Sequence, residues 1–580
     1  MYSREKIKKI LRSSYWYYFL IILFFISISF FLFHGEKQPL HLMDSVYSYP
    51  ESGNLLKTFQ SSWSDVRFGR PTNFAPVDLF VYFVYFLTQN HILTQQIIWI
   101  LCFILSALFM FHFLDKINFL SSKYICFFIS IFYGFNCFTI ANLGAVGLNI
   151  VYAFLPLVVL YTINLLSCTK NYFLINSIRL ALSLAVVNLA VSQGFILALF
   201  LSVFYVILIL LFSHFRCDNF KKILIYFTFA IFLFFLLTLE INLHYLELFF
   251  NNGAAGIMEG VKNSYYKTFF SWSWFADYYP LAISPFTFLI NVGIKSKILS
   301  ILGLVILLFT FSTTLINSDS KVKKYFLINL FIVLFYSFFI LLIQKNNILA
   351  NAFFNKIFIL KAFSEPYKWG YILSLPVCLI LGLSVTSFLN YFKKRKIFKV
   401  VFSSIFFIAL FIGPVYSLIL KKESFNSKPI SGQGGTHQVS IRIPTYYEEI
   451  NGFVRDLRDS GDFSRILWLP SENNLHSFKG NDQYSFVFPP NNYKLTNYFA
   501  RTFEQLENNS GHSKILKLFD IRYVIILKQI KQPWEPTAWV FQGMPQYIVG
   551  RPESFIEYYN SMNGVVVYRE TEDYLIYRIL

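Results

Sequence analysis

Charge is the scarcest thing in this chain. Asp, Glu, Lys and Arg together make up 14% of its 580 residues, where soluble proteins carry about 25%. Cysteine is sparse too. The six, Cys102, Cys126, Cys137, Cys168, Cys217 and Cys378, lie in apolar runs or short loops, and residues 421–580 have none. A disulfide framework is thereby excluded for that tail, and no spacing matches a zinc or redox motif. A Walker loop, a Gly-rich dinucleotide turn, a nucleophile elbow and a His-Glu-x-x-His motif are all missing. ATP-driven pumping and soluble-nucleotide chemistry are left without support.

What the chain has instead is apolar length. Hydrophobic residues make up 56% of it and 71 of them are Phe, in repeated runs of about 18 or more residues. This pattern is that of a polytopic α-helical membrane protein. Eleven spans are predicted, near 15–34, 92–114, 123–141, 148–167, 176–191, 195–213, 223–244, 298–316, 325–343, 368–390 and 400–420. The first is too long for a signal-peptide core and no small-residue cleavage site follows it, so it is expected to be retained.

The net charge of +19 belongs to the spans and their loops. Residues 1–420 hold 32 Lys/Arg against 14 Asp/Glu, whereas residues 421–580 hold 18 against 17. A nearly balanced tail is no footprint for nucleic acid. Basic residues resist translocation, so their clusters set the orientation. Placing the N-terminus in the cytoplasm keeps Arg4 to Arg12, Arg216 to Lys222, Lys321 to Lys324 and Lys393 to Lys399 inside. Val77 to Leu87 is too short to cross and is read as a re-entrant or interfacial helix. This topology describes a plasma (inner) membrane protein. Its membrane domain is 1–420, with exported loops at 35–91, 245–297 and 344–367. A linker at 421–435 leads to an exported α/β domain at 436–580. In that domain a helix is predicted near Tyr446–Asp459, and strands at Arg465–Leu469, Tyr523–Leu527, Gly564–Arg569 and Tyr574–Ile579.

Chemistry-bearing residues gather on the exported side of this topology. Loop one holds Asp44, Glu51, Asp65 and Asp78 among His41, Arg67 and Arg70. Glycosyl transfer to a hydroxyl needs a base for its proton, and a leaving phosphate needs cations. Equally, a long polar loop contains acids for no catalytic reason. Glu240, His244 and Glu247 share a helical face by spacing. They could bind a metal, polarise a base or line an acceptor groove, or Glu240 could snorkel or pack as a neutral acid. Three ligands on one helix do not make a closed metal site, so ligand spacing supports no divalent metal and the cofactor is left open. Trp272 and Trp274 suit sugar stacking or interfacial anchoring. Lys361, Glu365 and Lys368 flank Pro366, where a lipid phosphate head group would sit or where lysines would snorkel at a helix end.

Three stretches carry a resemblance: Asp44 in loop one, Gly144 to Pro156 (GAVGLNIVYAFLP), and Phe363 to Trp369 (FSEPYKW). Ile443 to Tyr447, Arg465 to Pro470 and Phe519 to Ile525 extend it into the tail. Together they resemble the GT-C superfamily of membrane glycosyltransferases, and within it the membrane part of arabinofuranosyltransferase-like proteins. The resemblance implies a polyprenyl-phosphate-linked sugar as donor and a cell-envelope glycan or glycolipid as acceptor. It implies Asp44 as catalytic base or metal-positioning acid, with Lys368 and Glu365 facing the donor. Two other classes stay open, a flippase for envelope polymers and a non-enzymatic assembly or scaffold protein. A flippase would line several spans with charge, and most spans here are nearly uncharged.

Overall fold

In a computed structural model of the chain, the described residues are 14–33, 40–42, 63–64, 70–71, 76–118, 120, 122–141, 146–167, 172–190, 198–199, 201–207, 217–239, 311–316, 320–345, 366–392, 396–426, 438–440, 446–462, 464–469, 475–478, 484–486, 516, 521–528, 530–533 and 552–580. The first helix, α1 (Ser14–Phe33), is followed by three short strands, β1 (Leu40–Leu42), β2 (Trp63–Ser64) and β3 (Arg70–Pro71). Next come α2 (Pro76–Thr88), α3 (His91–Ile117), α4 (Lys123–Gly134), α5 (Cys137–Ala141), α6 (Val146–Ser167) and α7 (Phe173–Ala190). The later helices are α8 (Cys217–Leu237), α9 (Ser320–Lys345), α10 (Pro366–Tyr391) and α11 (Lys396–Asn426).

Six segments in these helices are long and apolar enough to cross a bilayer: Ser14–Phe33, Leu93–Ile117, Lys123–Ile140, Val146–Leu166, Phe173–Ala190 and Tyr371–Tyr391. Each coincides with a span read from the sequence. Three further spans fall on α8, α9 and α11. The remaining two are helical over 201–207 and 311–316, among the described residues. Side chains such as Tyr15, Phe30, Phe232 and Ile408 on the bundle's exterior are exposed, which suits lipid and not water. α2 has 13 residues, about 20 Å of helix at 1.5 Å per residue, too short for a hydrocarbon core of about 30 Å. It doubles back into α3 through Gln89, whose φ is +49°, and Asn90, whose Oδ1 accepts the Leu93 N–H at 3.0 Å.

Small residues let the helices close up. A Cβ on Gly134 would lie 2.8 Å from Phe25 Cζ and 3.0 Å from both Ala107 Cβ and the Phe103 carbonyl oxygen. α1, α3 and α4 therefore meet at this glycine, as membrane helices do where side chains are absent. At one end of the bundle the Asp115 carboxylate accepts from Ser14 Oγ at 3.1 Å and lies 3.5 Å from Lys123 Nζ. Lys123 donates to Ser14 at 2.7 Å. The start of α1 and the α3–α4 turn thus share one end, as the charge-derived topology requires.

The tail contains β4 (Gln438–Ser440), α12 (Tyr446–Asp459), β5 (Arg465–Leu469), β6 (Leu475–Phe478), β7 (Tyr484–Phe486), β8 (Ile521–Leu527) and β9 (Ile530–Pro533). It ends with α13 (Pro552–Asn560), β10 (Val565–Glu570) and β11 (Tyr574–Ile579). One sheet runs β10-β11-β8-β5, antiparallel except for the parallel β5–β8 pair, and a second runs β7-β6-β9. β8 reads as a near-continuous apolar run, IRYVIIL, because both of its faces are covered. Leu467, Val524, Ile526, Leu575 and Tyr577 pack with Phe555 and Tyr559 of α13. On the other face Tyr446 and Phe453 of α12 meet Tyr574 and Tyr523. Tyr574 donates to Glu449 at 3.0 Å; burial and that bond push its phenol up to about 12. The helix and all four strands read from the sequence are present. α13, β6, β7 and β9 were not foreseen, and α11 continues six residues into the expected linker, through the helix-compatible Lys421-Lys422-Glu423.

Candidate functional site

Most of the sequence-derived site residues lie outside the described residues: Asp44, Arg67, Glu240, His244, Glu247, Trp272, Trp274, Lys361 and Glu365. Arg70 lies in β3, paired with Ser64 of β2. Lys368 is the third residue of α10, whose first is Pro366. A proline there gives up an N–H that the helix start leaves free in any case.

The chain around these positions is informative. β1 ends two residues before Asp44 and pairs antiparallel with β4, Leu40 against Ser440 and Leu42 against Gln438. The start of loop one is thereby joined to the chain emerging from α11. Phe33, the last residue of α1, packs its ring 5.2 Å from that of Trp99 on α3. Trp99 is 16 residues before Asp115, about 24 Å along the helix. It therefore marks the opposite end of the bundle from the Ser14–Asp115–Lys123 cluster.

At this loop-one end α10 meets α5 and α6. Tyr371 of α10 sets its ring edge-on to Phe138 at 4.6 Å, and lies 5.8 Å from Tyr152 of α6 at 74°. Tyr152 in turn stacks on Tyr133 of α4 at 4.2 Å. A proline organises this stack. Pro156 lacks the N–H that would bond the Tyr152 carbonyl within α6, and the Tyr133 hydroxyl donates to that carbonyl at 2.8 Å. The reciprocal bond runs from the Tyr152 hydroxyl to the Tyr133 carbonyl, also at 2.8 Å. Asn136 caps α5: its Oδ1 accepts the Thr139 N–H at 3.0 Å, and its own N–H donates to Thr139 Oγ1 at 3.1 Å. The Asn136 amide nitrogen then donates to the Tyr133 carbonyl at 2.7 Å and to the Tyr152 hydroxyl at 3.2 Å. Every one of these side chains is buried.

Two buried groups of this end of the bundle are not satisfied. Trp99 Nε1 and the Tyr371 hydroxyl are buried and find no hydrogen-bond partner among the described residues. Sequence reading missed Trp99, Tyr371, Tyr152 and Asn136. Their signal was an amide and polar-tipped rings inside otherwise apolar spans, which bilayer anchoring could equally explain. Among the described residues no three His, Cys, Asp or Glu side chains gather as a metal site would need.

No protein-family model matches the chain, and no curated protein matches it. Solved structures do. One cryo-EM structure of the arabinofuranosyltransferase AftD from Mycobacteria, in a mutant form, superposes with a TM-score of 0.59 at 12% identity over 98% of this chain. A second class of the same mutant gives 0.52 at 12% identity over 97%. In both, the match takes in 41% of the AftD chain, so this chain spans about two-fifths of that length. At such identity the likeness is one of fold: the chain has an AftD-like membrane architecture with a small C-terminal sheet region.

Proposed function

We propose that the protein is an integral-membrane glycosyltransferase that moves a sugar from a polyprenyl-phosphate donor to a cell-envelope glycan or glycolipid on the exported face. The observation that carries this reading is the AftD-like fold over 98% of the chain. Fold alone does not fix an activity. The contact between Tyr152, inside the Gly144–Pro156 stretch, and Tyr371, two residues beyond the Phe363–Trp369 stretch, adds support from this chain's own residues.

In the proposed reaction Asp44 removes the proton from an acceptor hydroxyl. The acceptor oxygen bonds to the anomeric carbon as the bond from that carbon to the phosphate oxygen breaks, with inversion. Polyprenyl phosphate leaves with the bonding electrons, its charge met by Lys361 and Lys368. Glu365 faces the donor sugar. Glu240, His244, Glu247, Arg67, Arg70, Trp272 and Trp274 line the acceptor side. The N-terminus is cytoplasmic and the tail exported. The β1–β4 pairing suits this topology, because it requires loop one and the tail to share a side.

The test is transfer of labelled sugar from polyprenyl-phosphate sugars in membranes containing the full chain. Asp44→Asn is expected to lower the rate by about a hundredfold or more without loss of folded protein. Wild-type transfer by that variant would overturn the role of Asp44. No transfer by the folded wild-type protein from any such donor would overturn the activity.

A further inference from the structure

We propose that Trp99 and Tyr371 are hydrogen-bond donors that hold the anionic phosphate of the lipid-linked substrate at the loop-one end of the bundle. The proposal rests on the transferase reading above and assigns two residues to its donor site.

A buried polar group without a partner destabilises the fold that contains it, so each such group needs a reason. Tyr371 is 0% exposed and Trp99 1%. The same cluster has satisfied every donor of Tyr133, Tyr152 and Asn136 at 2.7–3.2 Å, so these helices are able to pair their polar groups. The two left over are not short rotors. Ser384 and Thr386 on α10 also find no partner among the described residues, but a helical hydroxyl can turn onto its own backbone carbonyl one turn back. An indole N–H is fixed in its ring plane, and a tyrosyl oxygen lies beyond its own backbone.

The chemistry of the two groups narrows the ligand. Indole nitrogen only donates, and a tyrosyl hydroxyl is free to donate. Together they suit a group that only accepts, and an ionised phosphate oxygen is the strongest such acceptor. Position agrees. Lys368 precedes Tyr371 by three residues and so shares its face of α10, in the first turn of a 26-residue helix whose start favours anions. Trp99 is braced by Phe33, where the chain leaves α1 for Asp44.

The test uses the purified full chain in detergent with three probes: a polyprenyl monophosphate, the uncharged polyprenol of equal length, and inorganic phosphate. Tyr371→Phe and Trp99→Phe each remove a donor. Tyr152→Phe, which removes a paired hydroxyl, is the control. Tyr371→Phe without ligand should unfold at the wild-type temperature or above, and bind polyprenyl phosphate about tenfold more weakly. Trp99→Phe should show a similar loss of affinity. Polyprenol binding should be unchanged in both, and Tyr152→Phe should lose stability while keeping its affinity.

Wild-type affinity in Tyr371→Phe and Trp99→Phe would overturn the proposal. So would a clear loss of stability in ligand-free Tyr371→Phe, since its hydroxyl would then be paired inside the protein. Inorganic phosphate binding as tightly as the lipid would overturn the lipid source. The two readings fail separately. Polyprenyl phosphate binding that depends on both donors, without sugar transfer, keeps this proposal and sinks the transferase. Transfer with a wild-type donor KM in both variants does the reverse.

Discussion

The two ends of the helix bundle treat their polar groups differently. At the end where α1 begins, Ser14, Asp115 and Lys123 bond one another, and Tyr18 meets His112 at 3.2 Å. Each of these five has a protein partner. At the end where α1 stops, Tyr133, Tyr152, Asn136 and Thr139 are equally well paired, yet Trp99 and Tyr371 find no hydrogen-bond partner among the described residues. Lipid offers no hydrogen bonds, so a membrane protein normally satisfies its polar groups internally. A ring-borne donor left over at the loop-one end marks that end as the candidate for a task.

The contact shared by both ends is the tight seam at Gly134, and breaking it should have the largest effect on the bundle. Gly134→Val would drive methyl groups into Phe25, Ala107 and the Phe103 carbonyl oxygen. A loss of about 3 kcal/mol or more is expected from such overpacking, read as a lowered unfolding midpoint and poor recovery of folded protein from membranes.

Tyr152→Phe tests the paired part of the loop-one end. It leaves the Tyr133 carbonyl with only its Asn136 donor and removes one partner of Asn136. A cost of about 1–2 kcal/mol is expected, measured by thermal unfolding. The same deletion at Tyr371 should cost nothing without substrate; equal costs at the two positions would erase the distinction between them.

At the opposite end Lys123→Ala should cost below about 1 kcal/mol. Its side chain is 41% exposed and solvent screens the pair with Asp115. Transfer activity in membranes should be unchanged. A large loss of activity would show that the paired end also serves the chemistry.

The last test perturbs least and asks whether the tail belongs to the active end. His41→Cys with Val439→Cys places two thiols at paired positions of β1 and β4. Oxidation should join them within one chain, detected after cleavage between membrane part and tail, at little cost in stability. Failure to join would remove the link between the tail and the Asp44 segment.

Several features were legible from residues alone because they follow from local composition. Apolar runs fixed the spans at Ser14–Phe33, Leu93–Ile117 and Tyr371–Tyr391, since length and hydropathy suffice for a lipid-facing helix. The aromatic and β-branched content of Tyr574–Ile579 and Tyr523–Leu527 marked those strands. Val77–Leu87 was recognisable as too short to cross. Asp44, Glu240 and Lys361 were noticed because ionisable residues near a bilayer stand out. The same salience hid Trp99 and Tyr371, whose rings look like ordinary membrane anchors until their surroundings are known.

By itself the sequence determined the class, the apolar spans and four strands of the tail, because each depends on a residue's own solubility and near neighbours. Which polar groups would be paired was decided only in the tertiary structure. Tyr133 and Tyr152 are 19 residues apart, and Tyr371 lies more than 200 further on; no local rule says that the first two satisfy each other and the third is left over. That follows from Pro156 freeing one carbonyl, from Gly134 letting three helices close, and from the position at which α10 docks against α5 and α6.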